Sequence, residues 1–444
     1  MVNKISNAVE KHKQLILDAE RYIWKNPETG YKEFKTSKYL AEKFEKLGYK
    51  LTYADGITGF YTVIDTGREG PEVLVLGELD SIICPSHPES DPQTGAVHSC
   101  GHNAQCAALL GIAAALTEEG MLDGLCGRIR LCAVPAEELL EIEFRQSLKK
   151  EGKIKYMGGK SEFLRRGYFD GVDIAFMVHT ARGGYGVGSD HVGCIAKNII
   201  YKGKAAHAGG SPQLGINALY AASCGLNAAN ALRETFAEND LIRFHPIVTH
   251  GGDMVNAIPE IAMIESYVRG RSYEVMIREN KKINRALIGA ALSLGANIEI
   301  IDIPGYSPLV NNRDMKIVAK EAAKMIDPAL DLPIDVPRST GSTDMGDLCH
   351  IMPVVHAYAG GAIGTGHGND YYIDDPYSAC VKNAKWQIMM LNILLGNGAE
   401  RAKNILASFK PAFASVKEFL AYQDSINDSG DRITYKDGGA DVRL

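Results

Sequence analysis

Short apolar runs alternate along the chain with segments of helical periodicity. Residues 34–47 carry apolar side chains at helical spacing, and Gly48 is typical of the residue that ends such a helix. Four strand-like runs lie beyond it: VLVL at 73–76, IRLCAV at 129–134, DIAFMV at 173–178 and PVVHAY at 353–358. Helical segments separate most of these runs, which predicts an α/β domain built in layers.

The pattern changes between about residues 193 and 304. Strand-like and helical segments follow one another there as CIAKNIIYKG, NALYAASCGLNAANAL, IAMIESYVRGR, a helix near 279–294 and ANIEIIDI. This order predicts a separate two-layer α+β domain inserted into the first one. The first domain is then discontinuous: residues 1–192 form its first part, 193–304 form the insert, and 305–444 form its second part with a C-terminal tail.

Composition and charge narrow the class of protein. The 444 residues are 45% hydrophobic and 23% charged, and the net charge of -6 argues against a nucleic-acid-binding surface. No apolar run approaches the ~20 residues of a membrane span, and the first 24 residues lack the apolar centre of a signal peptide. The nine cysteines contain no CxxC pair, so we expect reduced thiols in a cytoplasmic protein that binds neither nucleic acid nor membrane.

Acids and imidazoles follow each of the four strand-like runs. VLVL leads to Glu78 and Asp80, IRLCAV to Glu137 and Glu138, DIAFMV to His179, and PVVHAY through a glycine-rich turn to His367. In open α/β sheets the functional site lies outside the carboxyl ends of the strands. We therefore expect these side chains to meet at one edge of the sheet.

The stretch GAVHSCGHNAQCAALLGIAAAL adds a thiol and an imidazole at the entrance of a predicted helix, residues 103–116. A helix N-terminus favours the thiolate of Cys100, which can then bind a metal together with His102. Thiolate, imidazole and carboxylate are the usual ligands of zinc and similar ions. The predicted ligands are Cys100, His102, Glu138, His179 and His367.

Five protein ligands are too many for one catalytic ion that keeps a water, but they suit two divalent ions that share a bridge. Glu137 adjoins the ligand Glu138 and is predicted to stay off the metals. It would take the proton from the attacking water and pass it to the leaving nitrogen. The chain has no GxSxG, GxGxxG or Walker sequence, which disfavours the chemistries that those motifs carry.

Taken together, these motifs resemble the peptidase M20 family over roughly residues 10–395. The segments that carry the resemblance are GELDS, HSCGHNAQ, VPAEE, GKAAHAGGSPQLGINAL, STDMGD and GTGH. Within the family, the chain resembles the amidohydrolase branch, which includes aminoacylases, hippurate hydrolases and p-aminobenzoyl-glutamate hydrolases. The resemblance implies a discontinuous zinc-peptidase-like catalytic domain, with a mixed sheet flanked by helices, and an inserted α+β lid that mediates dimerisation.

The resemblance also implies a role for each residue that matches a family motif. The five ligands would hold two Zn or Mn ions, Glu137 would be the catalytic base, and Asp80 would orient a ligating imidazole. In the lid, His207 would stabilise the oxyanion, while Asn256 and Arg269 would hold the carboxylate end of the substrate.

Some positions depart from the family pattern. Asn103 and Gln105 replace an acid and an imidazole in the Cys-Gly-His motif. Glu78 stands where relatives have aspartate or a ligating histidine, which makes it a candidate for an additional or alternative ligand. Residues 139–157 form an extra segment directly after the glutamate pair, at the expected rim of the pocket, and the tail beyond about residue 400 has no counterpart in the family.

The leading prediction is a cytoplasmic, homodimeric enzyme that hydrolyses the amide bond of a small N-acyl or N-aroyl amino acid, aryl-glutamates included, with a metal-bridged water. A dipeptidase of the same fold is the close alternative, distinguished by whether the pocket offers an apolar wall or an acid to the acyl end. A non-catalytic partner subunit or scaffold is the alternative from another class. The exact substrate and the physiological metal stay open.

Overall fold

A computed structural model describes the whole chain, residues 1–444. Its helices are α1 (Val2–Lys11), α2 (Lys13–Trp24), α3 (Phe34–Lys46), α4 (His102–Leu116), α5 (Ile142–Lys150), α6 (Gly159–Arg165), α7 (Ala218–Ala231), α8 (Tyr273–Ser293), α9 (Arg313–Ile326), α10 (Met345–Cys349), α11 (Asn383–Leu395), α12 (Glu400–Ser408) and α13 (Val416–Ile426). Its strands are β1 (Thr52–Tyr53), β2 (Phe60–Asp65), β3 (Glu72–Glu78), β4 (Ile82–Ile83), β5 (Ala96–Val97), β6 (Arg128–Val134), β7 (Ile174–Arg182), β8 (Gly193–Lys202), β9 (Arg243–Phe244), β10 (Ile247–His250), β11 (Ile261–Gly270), β12 (Asn297–Pro304), β13 (Val354–Ile363), β14 (Tyr372–Ile373), β15 (Asp428–Asp431), β16 (Ile433–Lys436) and β17 (Gly439–Val442).

Tertiary contacts divide the chain into two compact units. The first unit comprises residues 1–190, 310–338 and 347–416, and the second comprises residues 191–309, 339–346 and 417–444. Each unit has its own sheet and its own hydrophobic core. No helix in the chain is long and apolar enough to span a membrane.

The first unit is built on a seven-stranded sheet in the order β1-β2-β6-β3-β7-β13-β14. Its central strands β6, β3, β7 and β13 are parallel, and the outer strands pair antiparallel to their neighbours. Because parallel strands are covered on both faces, they appear in the sequence as continuous apolar runs rather than alternating ones. The predicted α/β class, with a mixed sheet flanked by helices, is confirmed.

Helix α4 begins at the histidine of the CGH sequence and lies in the core of the first unit. All of its residues are buried, because alanine and leucine occupy nearly every side of the helix. Gly77 of β3 permits close packing, since a Cβ atom there would lie 3.0 Å from the side chain of Leu109. The helix begins near the carboxyl end of β3, because Gln105 in its first turn bonds to the main-chain N–H of Glu78, the last residue of that strand.

The strand that carries His179 is longer than predicted. The sequence run ends at residue 178, whereas β7 continues to Arg182. Parallel pairing with β13 extends past this point, with His179 opposite Tyr358 and Thr180 opposite Ala359. His179 is therefore held within the sheet rather than on a loop after it, and the predicted strand end was wrong.

The second unit contains a sheet in the order β10-β11-β8-β12-β15, with β9 also paired to β11. Helices α7 and α8 pack against this sheet and share its core. Burial alternates residue by residue along β11, as expected for an antiparallel sheet with one covered face. The predicted role of this unit as a lid stays a prediction.

Residues 417–444 of the C-terminal tail belong to the second unit, whereas residues 400–416 lie in the first. The tail was predicted to lie with residues 305–444 in the catalytic domain, but β15 pairs antiparallel with β12 and places residues 417–444 in the other unit. Arg432 secures this strand, since its guanidinium bonds to Asp428 at 2.8 Å and to the carbonyl oxygen of Ile300 at 3.0 Å. The tail assignment is thereby corrected, and the other predicted boundaries stay a prediction.

Candidate metal centre

A tight turn at Gly101 brings the thiol and the imidazole of the CGH sequence together. Gly101 has a left-handed backbone with φ 94°, and a Cβ atom there would lie 2.4 Å from the hydroxyl oxygen of Tyr371. Glycine meets both demands because it has no Cβ atom. The turn leaves Cys100 just before α4 and makes His102 its first residue.

Three overlapping groups of potential ligand atoms form at the carboxyl ends of the central strands. Within each group the atoms lie within 4.8 Å of one another: Cys100, His102 and His179; Cys100, Glu138 and His367; and Glu78, His102 and Glu137. The Sγ atom of Cys100 lies 3.4 Å from Nε2 of His179, and Nε2 of His367 lies 2.9 Å from a carboxylate oxygen of Glu138. The structure thus brings all five predicted ligands together, and Cys100 belongs to two of the groups.

A strained turn after β6 aims the two glutamates at this cluster. Ala136 has a left-handed φ of 56°, which costs an L-residue about 1–2 kcal/mol. Its amide donates a 2.8 Å hydrogen bond to the buried carboxyl of Glu33, and the amide of Glu138 donates a 2.8 Å bond to Asp80. Glu137 follows Ala136, is only 6% exposed, and has a carboxylate oxygen 3.9 Å from Nε2 of His102.

The imidazoles of His102 and His179 are oriented by hydrogen bonds on their Nδ1 side. Nδ1 of His102 lies 2.8 Å from the carbonyl oxygen of Asp80 and 3.3 Å from its carboxylate, and Nδ1 of His179 lies 2.8 Å from the carbonyl oxygen of Thr180. Each Nε2 atom therefore faces the cluster, and the buried Nε2 of His102 has no hydrogen-bond partner. Metal-ligating histidines show this arrangement, with the second nitrogen anchored by an oxygen acceptor. The donor set therefore fits divalent metal ions.

Electrostatics within the cluster favour the ionised thiol. Burial and the carboxylate of Glu138 raise the pKa of Cys100, but the imidazoles of His102, His179 and His367 outweigh them and lower it to about 6. Burial lowers the pKa of His102 and His179, whereas the thiolate and the nearby carboxylates raise both above the usual value. Thiolate and imidazolium thus stabilise each other, and metal binding to such a site displaces the protons from the imidazoles.

The cluster is open to solvent on one side. The side chain of His367 is 53% exposed, and Cys100 and His179 are half-buried. His102 and the carboxylates on the other side are buried. A small molecule could therefore reach the thiol-bearing side of the cluster, while the acids are shielded from water.

Most of the chain matches the model of one peptidase family. A model of peptidase family M20/M25/M40 matches residues 76–390. The chain belongs to this family. The match spans every predicted ligand and the predicted base, so the family and the enzyme class expected from the sequence are confirmed.

Individual M20 relatives differ in their named activities. The chain is 28% identical over 356 residues to the Xaa-Arg dipeptidase of Homo sapiens, covering 76% of this chain and 74% of the relative. It is 27% identical over 323 residues to one of the subunits of p-aminobenzoyl-glutamate hydrolase from Escherichia coli, covering 70% and 62%. A dinuclear metal-binding M20 peptidase from Bacillus subtilis has the same fold, with a TM-score of 0.64, 20% identity, and coverage of 87% of this chain and 99% of that one.

A buried lysine occupies the place beside Glu78 in this M20 chain. The ammonium group of Lys160 makes an ion pair with the Glu78 carboxylate, and neither side chain is exposed. Burial raises the pKa of Glu78, but Lys160, His102 and His179 outweigh burial and lower it. Lys160 was not predicted from the sequence, where its one signal is a charged residue directly after Gly158 and Gly159.

The two departures within the Cys-Gly-His motif are both bonded in the core. The amide side chain of Gln105 accepts a hydrogen bond from the main-chain N–H of Glu78 and donates one to its carboxylate at 3.1 Å. Asn103 donates a 2.7 Å hydrogen bond to the carboxyl of Glu20. Lys160 binds one carboxylate oxygen of Glu78 and Gln105 binds the other, which lies 3.3 Å from Nε2 of His102; Glu78 as an extra ligand stays a prediction.

Two of the predicted lid residues lie side by side on the surface of the second unit. His207 forms an isolated bridge with Ala257, and the carbonyl oxygen of Asn256 accepts a 2.9 Å hydrogen bond from Ala208. Nδ1 of His207 accepts hydrogen bonds from Gly209 at 3.1 Å and Gly210 at 2.9 Å. A neutral imidazole held in this way carries its proton on Nε2, which is therefore a donor.

Arg269, the third predicted lid residue, lies on β11 and is half-buried. Its Nη1 atom donates a 3.3 Å hydrogen bond to the hydroxyl of Ser342, and its guanidinium lies 5.7 Å from the ring centroid of Tyr267. The buried Nε atom has no hydrogen-bond partner. Arg269 therefore keeps donor capacity that a carboxylate would satisfy.

Proposed function

We propose that this protein hydrolyses the amide bond of a small N-acyl or N-aroyl amino acid, with two divalent metal ions bound per chain. The observation that carries the proposal is the convergence of five metal-type ligands around a shielded glutamate that is not needed to complete the ligand set. The dinuclear site named for the Bacillus subtilis relative supports the number of ions.

In this proposal the metal ligands are Cys100, His102, Glu138, His179 and His367. Bound ions would supply a nucleophilic water at neutral pH and polarise the substrate carbonyl. Zn and Mn are the favoured metals, because thiolate and imidazole suit zinc whereas carboxylates suit manganese.

The remaining residues of the first unit would position groups and move protons. Glu137 would accept the proton of the attacking water and donate it to the leaving nitrogen, as a shielded carboxylate beside the ligand cluster can do. Asp80 would fix the orientation of the His102 ring, a role that its 2.8 Å carbonyl contact supports.

The substrate class is proposed from the relatives and from Arg269. Aryl-glutamates are supported by the named activity of the Escherichia coli relative, and a free-amine dipeptide by that of the human one. Both substrates present a carboxylate, which Arg269 and Asn256 would hold. The complete ligand set and base argue against a non-catalytic scaffold, and the cytoplasmic location stays a prediction.

A substrate panel combined with metal analysis tests this proposal. Purified protein would be loaded with Zn or Mn and assayed on p-aminobenzoyl-glutamate, hippurate, N-acetyl amino acids and dipeptides. We expect cleavage of at least one acylated or aroylated substrate. Cleavage confined to dipeptides would select the alternative activity, and a metal-loaded protein that cleaves nothing in the panel would favour the scaffold.

Metal content should depend on Cys100. Protein purified without chelator is expected to hold about two divalent ions per chain, and Cys100→Ala should lose at least one of them because the thiolate belongs to two ligand groups. Elemental analysis measures this directly. Cys224→Ala, on an exposed cysteine of the second unit, is the control and should keep the full content. An active enzyme without metal would refute the assignment.

We also propose a homodimer formed through the second unit. The edge strand β10 pairs with β11 on one side only, and its Ile247 and Val248 side chains are exposed. Tyr220 and Met254 in the same unit are exposed as well. Unpaired edge strands and clustered apolar side chains are typical docking surfaces. In the dimer, His207 would donate its Nε2 proton to the oxyanion in the neighbouring subunit.

Complementation between two inactive variants tests this use of His207. His207→Ala should lower kcat by about 10²–10³-fold with metal content intact, as expected for the loss of one oxyanion donor. Mixed with Glu137→Gln chains, it should regain activity in heterodimers, because each heterodimer contains one complete site. Verified heterodimers that remain inactive would exclude action between subunits.

A further inference from the structure

Segment 139–157 carries an arginine that is buried beside the glutamate pair. Arg145 lies on α5 and is only 1% exposed, although arginine is rarely buried without partners. The sequence alone suggested a segment that shapes the rim of the pocket. In the structure, this side chain instead packs against the main chain of the turn that carries Glu137 and Glu138.

The guanidinium of Arg145 bonds to main-chain carbonyl oxygens. Nη1 donates to Met157 at 2.6 Å and lies 3.5 Å from the carbonyl oxygen of Ala136, and Nη2 donates to the carbonyl oxygen of Glu138. The rigid, planar fork of arginine suits such a link between separate carbonyl groups. Arg145 therefore ties both ends of the turn at 136–138 to the end of its own segment.

Arg145 adds to the hydrogen bonds that fix the main chain of this turn. Glu33 binds the amide of Ala136, and Asp80 binds the amide of Glu138, so the amides are held by acids. The carbonyl oxygen of Glu138 accepts from Arg145 and from the amide of Leu140 at 2.8 Å. That of Ala136 accepts from the amide of Gly159 at 3.2 Å and lies 3.5 Å from Nη1 of Arg145. A left-handed residue at 136 needs such support, because it persists only where the surroundings determine it.

The loop at residues 30–31 of the first unit packs closely against the same guanidinium. A Cβ atom on Gly30 would lie 2.4 Å from Nη2 of Arg145 and 2.9 Å from the Cα atom of Ala136. The ring centroid of Tyr31 lies 5.5 Å from the guanidinium carbon, within cation–π range. Arg145 is thus packed between the loop at residues 30–31 and the turn at 136–138.

We propose that Arg145 is a positioning residue for the hydrolytic reaction, holding the main chain of 136–138 so that the carboxylates of Glu137 and Glu138 converge on the ligand cluster. This inference rests on the proposed function for what those carboxylates do. It assigns to segment 139–157 a part in building the site rather than in covering it.

The test compares Arg145→Met, which keeps much of the volume but no donor, with Arg145→Lys, which keeps one donor group. Lys150→Met, on the exposed side of the same helix, is the matched control. We expect Arg145→Met to lower kcat by about 10–10²-fold with KM nearly unchanged, because small misplacements of catalytic groups cost this much. Arg145→Lys should recover part of the loss, and Lys150→Met should match the wild type.

A second readout does not need turnover. In Co²⁺-loaded protein, the visible absorption bands report the geometry of the ligands, including Glu138. We expect Arg145→Met to change these bands while the folded protein keeps its Co²⁺, and Lys150→Met to leave them unchanged. If Arg145→Met does not fold, Arg145→Lys carries the same comparison with a smaller expected change.

The outcomes separate this inference from the proposed function. A changed cobalt spectrum in a protein that cleaves no amide would support the positioning role and overturn the hydrolytic one. An active wild type, with a folded variant at position 145 whose kcat and spectrum are unchanged, would overturn the positioning role alone. Loss of soluble protein with unchanged kcat per folded molecule would also overturn it, because Arg145 would then be purely structural.

Discussion

Glu137→Gln is expected to lower kcat by about 10²–10⁴-fold while the fold and the metal content stay unchanged. Glutamine keeps the size of glutamate and one acceptor oxygen, but it cannot accept and return a proton at neutral pH. Glu137 lies 3.9 Å from Nε2 of His102, and the five predicted ligands form two of the three ligand groups without it. Steady-state rates and elemental analysis on the same preparation measure both parts of the expectation.

The matched control is Glu143→Gln, on an exposed glutamate of α5 a few residues further along the chain. It should leave kcat unchanged. If Glu137→Gln instead removed an ion, Glu137 would be a ligand in the group that it forms with Glu78 and His102. Turnover equal to that of the wild type would mean that another group moves the proton.

Lys160→Met is expected to destabilise the protein by about 3–5 kcal/mol, the cost of leaving a buried charge without its partner. Lys160 and Glu78 are both fully buried, and their ion pair lies directly behind the ligand cluster. Methionine fills a similar volume but leaves the Glu78 carboxylate next to an apolar group. Urea denaturation of the metal-free protein should show the loss as a lower midpoint of unfolding.

Two further variants identify the cause of that loss. Lys160→Met combined with Glu78→Gln should recover most of the stability, since the unpaired charge is then removed. Lys38→Met breaks the exposed pair with Glu42, where the two charged atoms are 3.9 Å apart, and should cost less than about 1 kcal/mol. A double variant no more stable than Lys160→Met would show that packing, rather than charge, explains the loss.

The strand positions and the candidate ligand types could be predicted because they depend on local patterns. The parallel strands are buried on both faces, so each appears as a continuous apolar run. Ligand-type residues follow these runs, directly in the case of His179 and only after a glycine-rich turn in the case of His367. The extent of β7 could not be predicted in this way. His179 lies within the sheet because β7 continues to pair with β13 beyond the end of its apolar run. The local sequence does not indicate a pairing with a strand so far along the chain.

The tail shows the same limit. Residues 428–431 read DSGD, which has no β-forming character, yet they add an edge strand to β12. Arg432 is buried there against Asp428 and the carbonyl oxygen of Ile300. Tertiary contacts rather than intrinsic preference make this strand, so the sequence assigned residues 417–444 to the wrong unit.

By itself, the sequence determined the α/β class, the resemblance to the M20 family and the donor types of the candidate site. These features depend on hydrophobic periodicity and on motifs, and both are properties of short segments of the chain. The tertiary structure alone decided which charges support that site. Lys160 pairs with Glu78, and Arg145 holds the glutamate turn, through contacts that join residues distant in the chain or on different elements. A buried charge is tolerated only where the fold supplies its partner, and that partner cannot be identified from the sequence alone.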